Sequence, residues 1–356
     1  MKNRTLLIAA GGTGGHITPG ISIAEAWLAE GGRIILATLI KNIEYPDIVR
    51  LARDERVTIV AYDAPRLVKN PIKLPGFFKR FFSAVRLIKQ AAAHEGVDAV
   101  LGMGGYSSFP AVFFAVTKRK PLFLCEQNAH WGMVTRIGKF FARAVFLSFP
   151  TNKKLSDKFR LTGNPIRAMF KGTGLKPART KTTGKKNILF IGGSQGATDI
   201  NALYLTFAGH ESAAKYSCTV AAGASTATEI KARARKGDTV LPFIEDMPGA
   251  LAAADFVVAR CGSGTLFELL WAGKPAFLIP YPFAAADHQR ANADALQQDM
   301  PCAIFDKRPF DANAALRAFL DFLKNPPSTA PVLSQTRPEL KITRYITENL
   351  NHAQKN

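Results

Sequence analysis

Short apolar runs recur along the chain, most of them separated by amphipathic stretches. The first, RTLLIAA (4–10), runs directly into glycines at GGTGGH (11–16). About half a chain later KNILFIGGSQGA (186–197) repeats the same order of apolar run and Gly-rich turn. Each run reads as a buried parallel strand, because a strand covered on both faces is continuously apolar rather than alternating. Amphipathic segments follow both turns, ISIAEAWLAE (21–30) in the first half and INALYLTFA (200–208) in the second. Strand, tight glycine turn and helix form the opening of a doubly wound α/β domain. Two such openings predict two Rossmann-like domains.

Further strands are expected at 33–39, 57–62, 98–103 and 121–127 in the first half. In the second half they are expected at 218–223, 238–243, 254–260 and 275–281. Helical segments lie between most of them, which predicts parallel sheets. The domains are placed at 1–166 and 187–335. Between them, 167–186 is rich in Gly, Thr, Lys and Arg and contains no acid, as a flexible linker would be. A last helix is expected over 338–350, after the proline-rich NPPSTAP (325–331), and residues 336–356 are positioned to return to the first domain.

The chain has 356 residues, 47% apolar and 21% charged, which excludes wholesale disorder and a fibre. That length exceeds what one hydrophobic core usually supports. No apolar run approaches the ~20 residues that span a bilayer. The stretch Leu6 to Ala10 is too short for a signal peptide, so a cytoplasmic location is expected. Cys125, Cys218, Cys261 and Cys302 have neither metal-site nor redox spacing and read as reduced, mostly buried thiols. The balance of 47 basic against 27 acidic residues gives +20. Such a field favours a polyanion, an anionic membrane or a phosphorylated substrate, and does not choose among them.

The glycine turns narrow the choice. Glycine lets backbone N–H groups approach a ligand closely, and a helix N-terminus favours negative charge. A phosphate or diphosphate is the natural guest of GGTGGH; a turn that binds nothing is the alternative. The spacing departs from G-x-G-x-x-G and no Walker lysine follows, which counts against a dehydrogenase or a P-loop ATPase. GGSQGA carries Ser194 and Gln195, and RCGSGTLFELLWAGKP (260–275) sets Ser263, Gly264 and Thr265 at a helix N-terminus with Glu268 near its mouth. Counting GMGGYSS (102–108), four Gly-rich turns fall at C-terminal strand ends, the edge where open α/β sheets bind ligands. A cleft between two such domains suits a diphosphate-bearing substrate.

GGTGGHITPG, GMGGYSS, CEQN (125–128), TGNPIR (162–167), GGSQGA, PFIEDM (242–247), GSGTLFELLWAGKP and DHQRANA (287–293) occur in the order of one family. Over residues 5 to 300 the chain resembles the MurG family of N-acetylglucosaminyltransferases. The resemblance implies an α/β protein of GT-B fold, with two Rossmann-like doubly wound domains facing across a cleft. It implies an inverting transfer from UDP-N-acetylglucosamine to the C4 hydroxyl of the muramyl pentapeptide of lipid I, giving lipid II for peptidoglycan. It further implies a peripheral place on the cytoplasmic side of the membrane, contact with other cell-wall and division proteins, no cofactor and no nucleic acid. One departure concerns GGYSSFPAV: Phe109 stands where the family usually has glycine, so the resemblance does not fix the detailed shape of the acceptor pocket.

By the same resemblance Thr13, Gly14 and Gly15 bind the donor while their loop faces the acceptor diphosphate, with Gly104, Gly105 and Tyr106 on the acceptor side. Asn128 and Arg167 reach the donor from the first domain and the hinge. Ser194 contacts phosphate or sugar, and Ile244 offers backbone groups to the uracil. Ser263, Gly264 and Thr265 cradle the diphosphate, and Leu266 and Phe267 complete that run. Glu268 accepts from ribose hydroxyls, and Gln289, helped by Asp287, holds the donor sugar. His16 is the candidate base, since an imidazole titrates with a pKa of ~6.5; capping the loop, binding phosphate, or leaving the proton to an acid elsewhere are its alternatives. There is no D-x-D motif, and a helix N-terminus stabilises a leaving diphosphate without a metal.

Residues 64–94 hold seven basic side chains and no acid. Phe77, Phe78, Phe81, Phe82, Val85 and Ile88 share one helical face, while Lys79, Arg80, Arg86 and Lys89 fall mainly elsewhere. That is the pattern of a helix lying on an anionic bilayer, where each basic residue contributes ~1 kcal/mol. An ordinary helix burying its apolar face is the alternative. Two rival functions stand beside the main one. The first is a GT-B enzyme acting on another lipid such as diacylglycerol. The second is a basic nucleic-acid binder, for which no motif is present.

Overall fold

A computed structural model describes residues 3–64, 74–151, 154–170, 184–193, 196–327 and 337–355. The chain divides into two units: Met1–Arg167 with Arg337–Asn356, and Ala168–Thr336. Most of the segment expected as a linker, 171–183, lies outside the described residues; its last residue, Lys186, already opens a strand.

Among its described residues the first unit holds seven strands: β1 (Thr5–Ala9), β2 (Arg33–Leu39), β3 (Val57–Tyr62), β4 (Ala99–Gly102), β5 (Leu122–Glu126), β6 (Ala144–Leu147) and β7 (Phe159–Leu161). They form one parallel sheet in the order β3-β2-β1-β4-β5-β6-β7. Every residue of β1 is buried because helices cover both faces. The order reverses between β1 and β4, so the loops leaving these two strands flank the crevice where such sheets bind ligands. The helix Gly14–Ala29 returns across β1. It comes close enough that a Cβ on Gly20 would meet the Cβ of Ala10 at 2.8 Å, so only glycine fits there. The C-terminal helix Pro338–Lys355 belongs to this unit, with Ile342, Ile346 and Leu350 in one apolar cluster with Trp27.

The second unit repeats the plan with six strands among its described residues: β8 (Lys186–Ile191), β9 (Tyr216–Ala221), β10 (Thr239–Leu241), β11 (Phe256–Ala259), β12 (Ala276–Leu278) and β13 (Cys302–Ile304). All neighbours are parallel, in the order β10-β9-β8-β11-β12-β13, with the reversal between β8 and β11. Interlocked Phe190, Phe207, Phe277, Phe319 and Phe322 fill one side of the sheet.

Three strands lie outside the expected set. β6 is a four-residue apolar run and β13 has three residues, lengths at which periodicity carries no signal. β7 is a half-exposed edge strand, FRL, whose polarity resembles a loop.

The Phe-rich helix forms, over Leu74–Glu95, but its apolar face is divided. Phe81, Ala84 and Ile88 are buried, and the Phe81 ring packs 5.3 Å from both Phe109 and Phe113. Phe81 is therefore a core residue, contrary to its expected place on a membrane-facing surface. Phe78 and Phe82 remain 49% and 53% exposed, and Lys79, Arg80, Arg86 and Lys89 are exposed. Arg66, Lys69 and Lys73 lie outside the described residues. Among the described residues no helix is long and apolar enough to cross a membrane.

Candidate active site

In the first unit, two loops meet at the reversal point. The chain leaves β1 through Gly11 to Thr13, and the helix begins at Gly14, so His16 stands in its first turn. The His16 amide donates to the Thr13 carbonyl at 3.1 Å, and its ring Nδ1 lies 3.2 Å from Thr13 Oγ1. Gly12 donates its N–H to Asn42 Oδ1 at 3.0 Å, a brace from the end of β2. From β4 come Gly104 and Gly105, with φ of +80° and +68°. A Cβ on Gly105 would stand 3.3–3.5 Å from three atoms of the His16 ring. The left-handed backbone and the stacked imidazole together require glycine. Thr13, His16, Gly104 and Gly105 are thus brought together, and Tyr106 follows half-buried beside them.

The loop after β5 supplies the floor. Glu126 is buried, and its carboxylate accepts the Asn128 N–H at 3.1 Å and the Gly132 N–H at 2.9 Å. Burial pushes its carboxyl above the ordinary range, opposed by these hydrogen bonds. Its structural effect is to fix the loop that carries Asn128. Gln127 is also buried, and neither of its amide atoms has a hydrogen-bond partner. Its Oε1 lies 3.3 Å from where a Gly104 Cβ would be. Ser107 Oγ is buried and unpartnered as well, close under Gly12. Unmet buried polar groups cost about 1–3 kcal/mol each, so two beside one loop mark a place built for polar company.

In the second unit, the helix Ser263–Ala272 follows β11. Ser263 lies at its first position with a buried, unpartnered Oγ, while Gly264, Thr265 and Phe267 are half-buried. Leu266 is fully buried and its amide donates to the Gly262 carbonyl at 3.0 Å, so it braces the helix. Glu268 stands in the second turn, and it is buried rather than at an open mouth. Gln289 Oε1 accepts the Cys261 and Tyr281 amides at 3.1 and 3.0 Å, which joins the loops after β11 and β12. Asp287 pairs with Arg308 at 2.8 Å and, like Ala286, has a left-handed backbone. Ile244 is a buried anchor in the loop after β10. Arg167 ends the first unit half-buried, and Ser194 lies outside the described residues.

Sequence reasoning missed Arg260. Its guanidinium is buried, pairs with Asp199 at 2.8 Å and donates to the carbonyls of Ile279 and Pro280. It thereby ties the helix after the second glycine loop, Thr198–Ala208, to β11 and β12. A lone base closing the apolar run ADFVVAR was the available signal. Asn42, Ser107, Glu126 and Gln127 were missed too; the last two stand inside the quoted CEQN. All four cysteines are free and buried, and burial pushes the Cys218 and Cys302 thiols up to about 12 and about 11. Thiols so placed are poor nucleophiles. Among the described residues no group of three His, Cys, Asp or Glu side chains could hold a metal ion.

Residues 6–147 match the glycosyltransferase family 28 N-terminal domain, and residues 187–341 match the family's C-terminal domain. A UDP-N-acetylglucosamine--N-acetylmuramyl-(pentapeptide) pyrophosphoryl-undecaprenol N-acetylglucosamine transferase of Leptospira interrogans is 32% identical over 338 residues, covering 90% of this chain and 91% of that one. The protein of the same name from Halorhodospira halophila is 35% identical, covering 83% of each chain. The crystal structure of Acinetobacter baumannii MurG superposes with a TM-score of 0.69 at 26% identity, covering 99% of this chain and 100% of that one. A calicheamicin glycosyltransferase shares the fold, with a TM-score of 0.67 at 13% identity and coverage of 100% and 98%.

Proposed function

The chain belongs to glycosyltransferase family 28, and we propose that it transfers N-acetylglucosamine from UDP-N-acetylglucosamine to the muramyl pentapeptide carried on undecaprenyl pyrophosphate. The observation that carries this reading is the pairing of His16 with the Gly104–Gly105 turn at the reversal point of the first sheet, within a chain whose relatives bear that activity in their names.

The chemistry follows from the parts. Inverting transfer is one displacement at the sugar C1: the acceptor oxygen bonds to C1 as the bond from C1 to the diphosphate oxygen breaks. His16 takes the hydroxyl proton, with Thr13 Oγ1 holding the ring through Nδ1. General-base assistance of this kind is worth about 10²–10⁴ in rate. UDP departs with the pair of electrons, and its charge falls to the N-terminus of the helix Ser263–Ala272, whose first-turn amides and Ser263 hydroxyl suit a diphosphate. Glu268 takes the ribose hydroxyls, Ile244 lends its backbone to the base, and Gln289, oriented by the Cys261 and Tyr281 amides, turns its NH₂ to the sugar.

The first unit also docks on the cytoplasmic leaflet. It carries 29 basic against 13 acidic residues, whereas the second carries 18 against 14. Phe78 and Phe82, with the 73% exposed Phe140, offer apolar anchors beside that charge. The test of the activity is transfer of labelled sugar from UDP-N-acetylglucosamine to a short-chain lipid I analogue, with UDP-glucose as control. Transfer from the first donor alone is expected; equal use of both donors, or no glycosylated acceptor, would refute it.

A further inference from the structure

The first unit carries an apolar groove of about 230 Å³ beside the His16 turn. Phe77 and Phe81 form one wall, Tyr106 and Phe109 a second, and Met133 and Ile137 a third. The aromatic walls are braced against each other: Phe77 stacks on Phe81 at 6.2 Å, and Phe81 rests on Phe109. Ile137 is 47% exposed, so its wall presents apolar carbon that the unit itself leaves open. Gly105 lines the groove and is also the residue against which the His16 ring is stacked. One glycine is therefore shared by the apolar groove and the polar turn.

We propose that this groove seats the first isoprene units of the acceptor's polyprenyl chain, so that the protein reads the lipid itself as well as the membrane around it. The inference rests on the functional reading above and names where the lipid half of that acceptor lies. Its occupant follows from continuity. Gly105 and Tyr106, assigned to the acceptor side, line the groove, and Gly105 lies against His16 of the loop that faces the acceptor diphosphate. In such an acceptor the diphosphate is bonded directly to an isoprene carbon. The chain must start within a bond or two of the phosphates, and the apolar surface that begins there is this groove. A second observation sets the polar end. The buried, unpartnered Ser107 and Gln127 lie by Gly12 and Gly104, while the groove that Gly105 and Tyr106 line is walled by aromatic and aliphatic carbon. A polar end joined to an apolar trough fits an amphiphile with its junction at Gly105. A flat bilayer does not enter a trough; it meets outward side chains such as Phe140, which is no part of the groove.

Calorimetry on the full chain, without vesicles or detergent, compares geranyl diphosphate with inorganic diphosphate. The groove predicts that the ten-carbon chain tightens binding about tenfold or more. Ile137→Asp should remove that advantage and leave inorganic diphosphate binding unchanged. Phe140→Ser should keep the advantage. Equal affinity for the two ligands, binding of neither, or an advantage that survives Ile137→Asp would overturn the proposal. An Ile137→Asp protein that loses both ligands alike would also overturn it. The activity is judged separately: groove-dependent binding without sugar transfer would sink the functional reading alone, whereas transfer indifferent to prenyl length would sink the groove alone.

Discussion

The two units are the same backbone idea executed twice and then chemically separated. Each is a parallel sheet with one reversal of strand order, and each sends Gly-rich turns from the two strands at that reversal. Their side chains diverge. The first unit has a net charge of +16 and the second +4, and the basic residues of 171–183 number as many as that remaining +4. The first sets an imidazole against a bare glycine turn, with exposed phenylalanines nearby. The second locks its turns with the Arg260–Asp199 pair and the Gln289 bridge. Topology thus supplies the same sheet edge twice, and the residues placed on it differ in charge, in exposed aromatics and in the pairs that brace the turns.

Four variants break or sharpen that contrast, taken from the largest effect down. His16→Ala should cost about 10²–10⁴ in kcat while leaving the affinity for UDP-N-acetylglucosamine within about twofold, as steady-state kinetics and calorimetry would record. A comparable loss of donor binding would move His16 from chemistry to phosphate recognition. Arg260→Leu strands Asp199 near a carbonyl-lined interior and should destabilise the second unit by about 3 kcal/mol, read from denaturant unfolding. An unchanged midpoint would show that the pair contributes nothing to holding the second glycine loop. Glu268→Ala should raise the KM for the donor by an amount worth about 1–3 kcal/mol, with acceptor KM unaffected. Unaltered donor kinetics would remove Glu268 from the nucleotide site. Replacing Arg86 and Lys89 by Gln should weaken binding to anionic vesicles by about 1 kcal/mol per charge, an effect that salt diminishes. Solution transfer to a short-chain acceptor should not change.

Much of this was legible in the chain. The apolar runs gave β2 and β3 at their observed ends, and the glycine turns fall at C-terminal strand ends as expected, because buried strands and tight turns are local properties. That they flank the reversals of strand order is visible only in the folded sheets. The residues missed act at a distance. Arg260 matters through Asp199, 61 positions away, and Asn42 through Gly12, 30 positions away; no local pattern marks such partners. Phe81 was misplaced for the same reason. Its helix is amphipathic on its own, and only Phe109 and Phe113 from the following helix reveal which half of the apolar face is already covered. Gln127 sat in a motif already singled out, yet its burial without a partner is a property of the folded loop alone.

The division of labour between the units is tested most directly by hydrogen exchange of the intact protein in two arms. One arm adds UDP-N-acetylglucosamine, the other a lipid I analogue on anionic vesicles. The nucleotide should slow exchange chiefly around residues 242–247, 261–270 and 281–290. The lipid acceptor should slow exchange chiefly around 11–17, 103–110 and 133–138. Strong nucleotide protection confined to the first unit, or acceptor protection confined to the second, would contradict it.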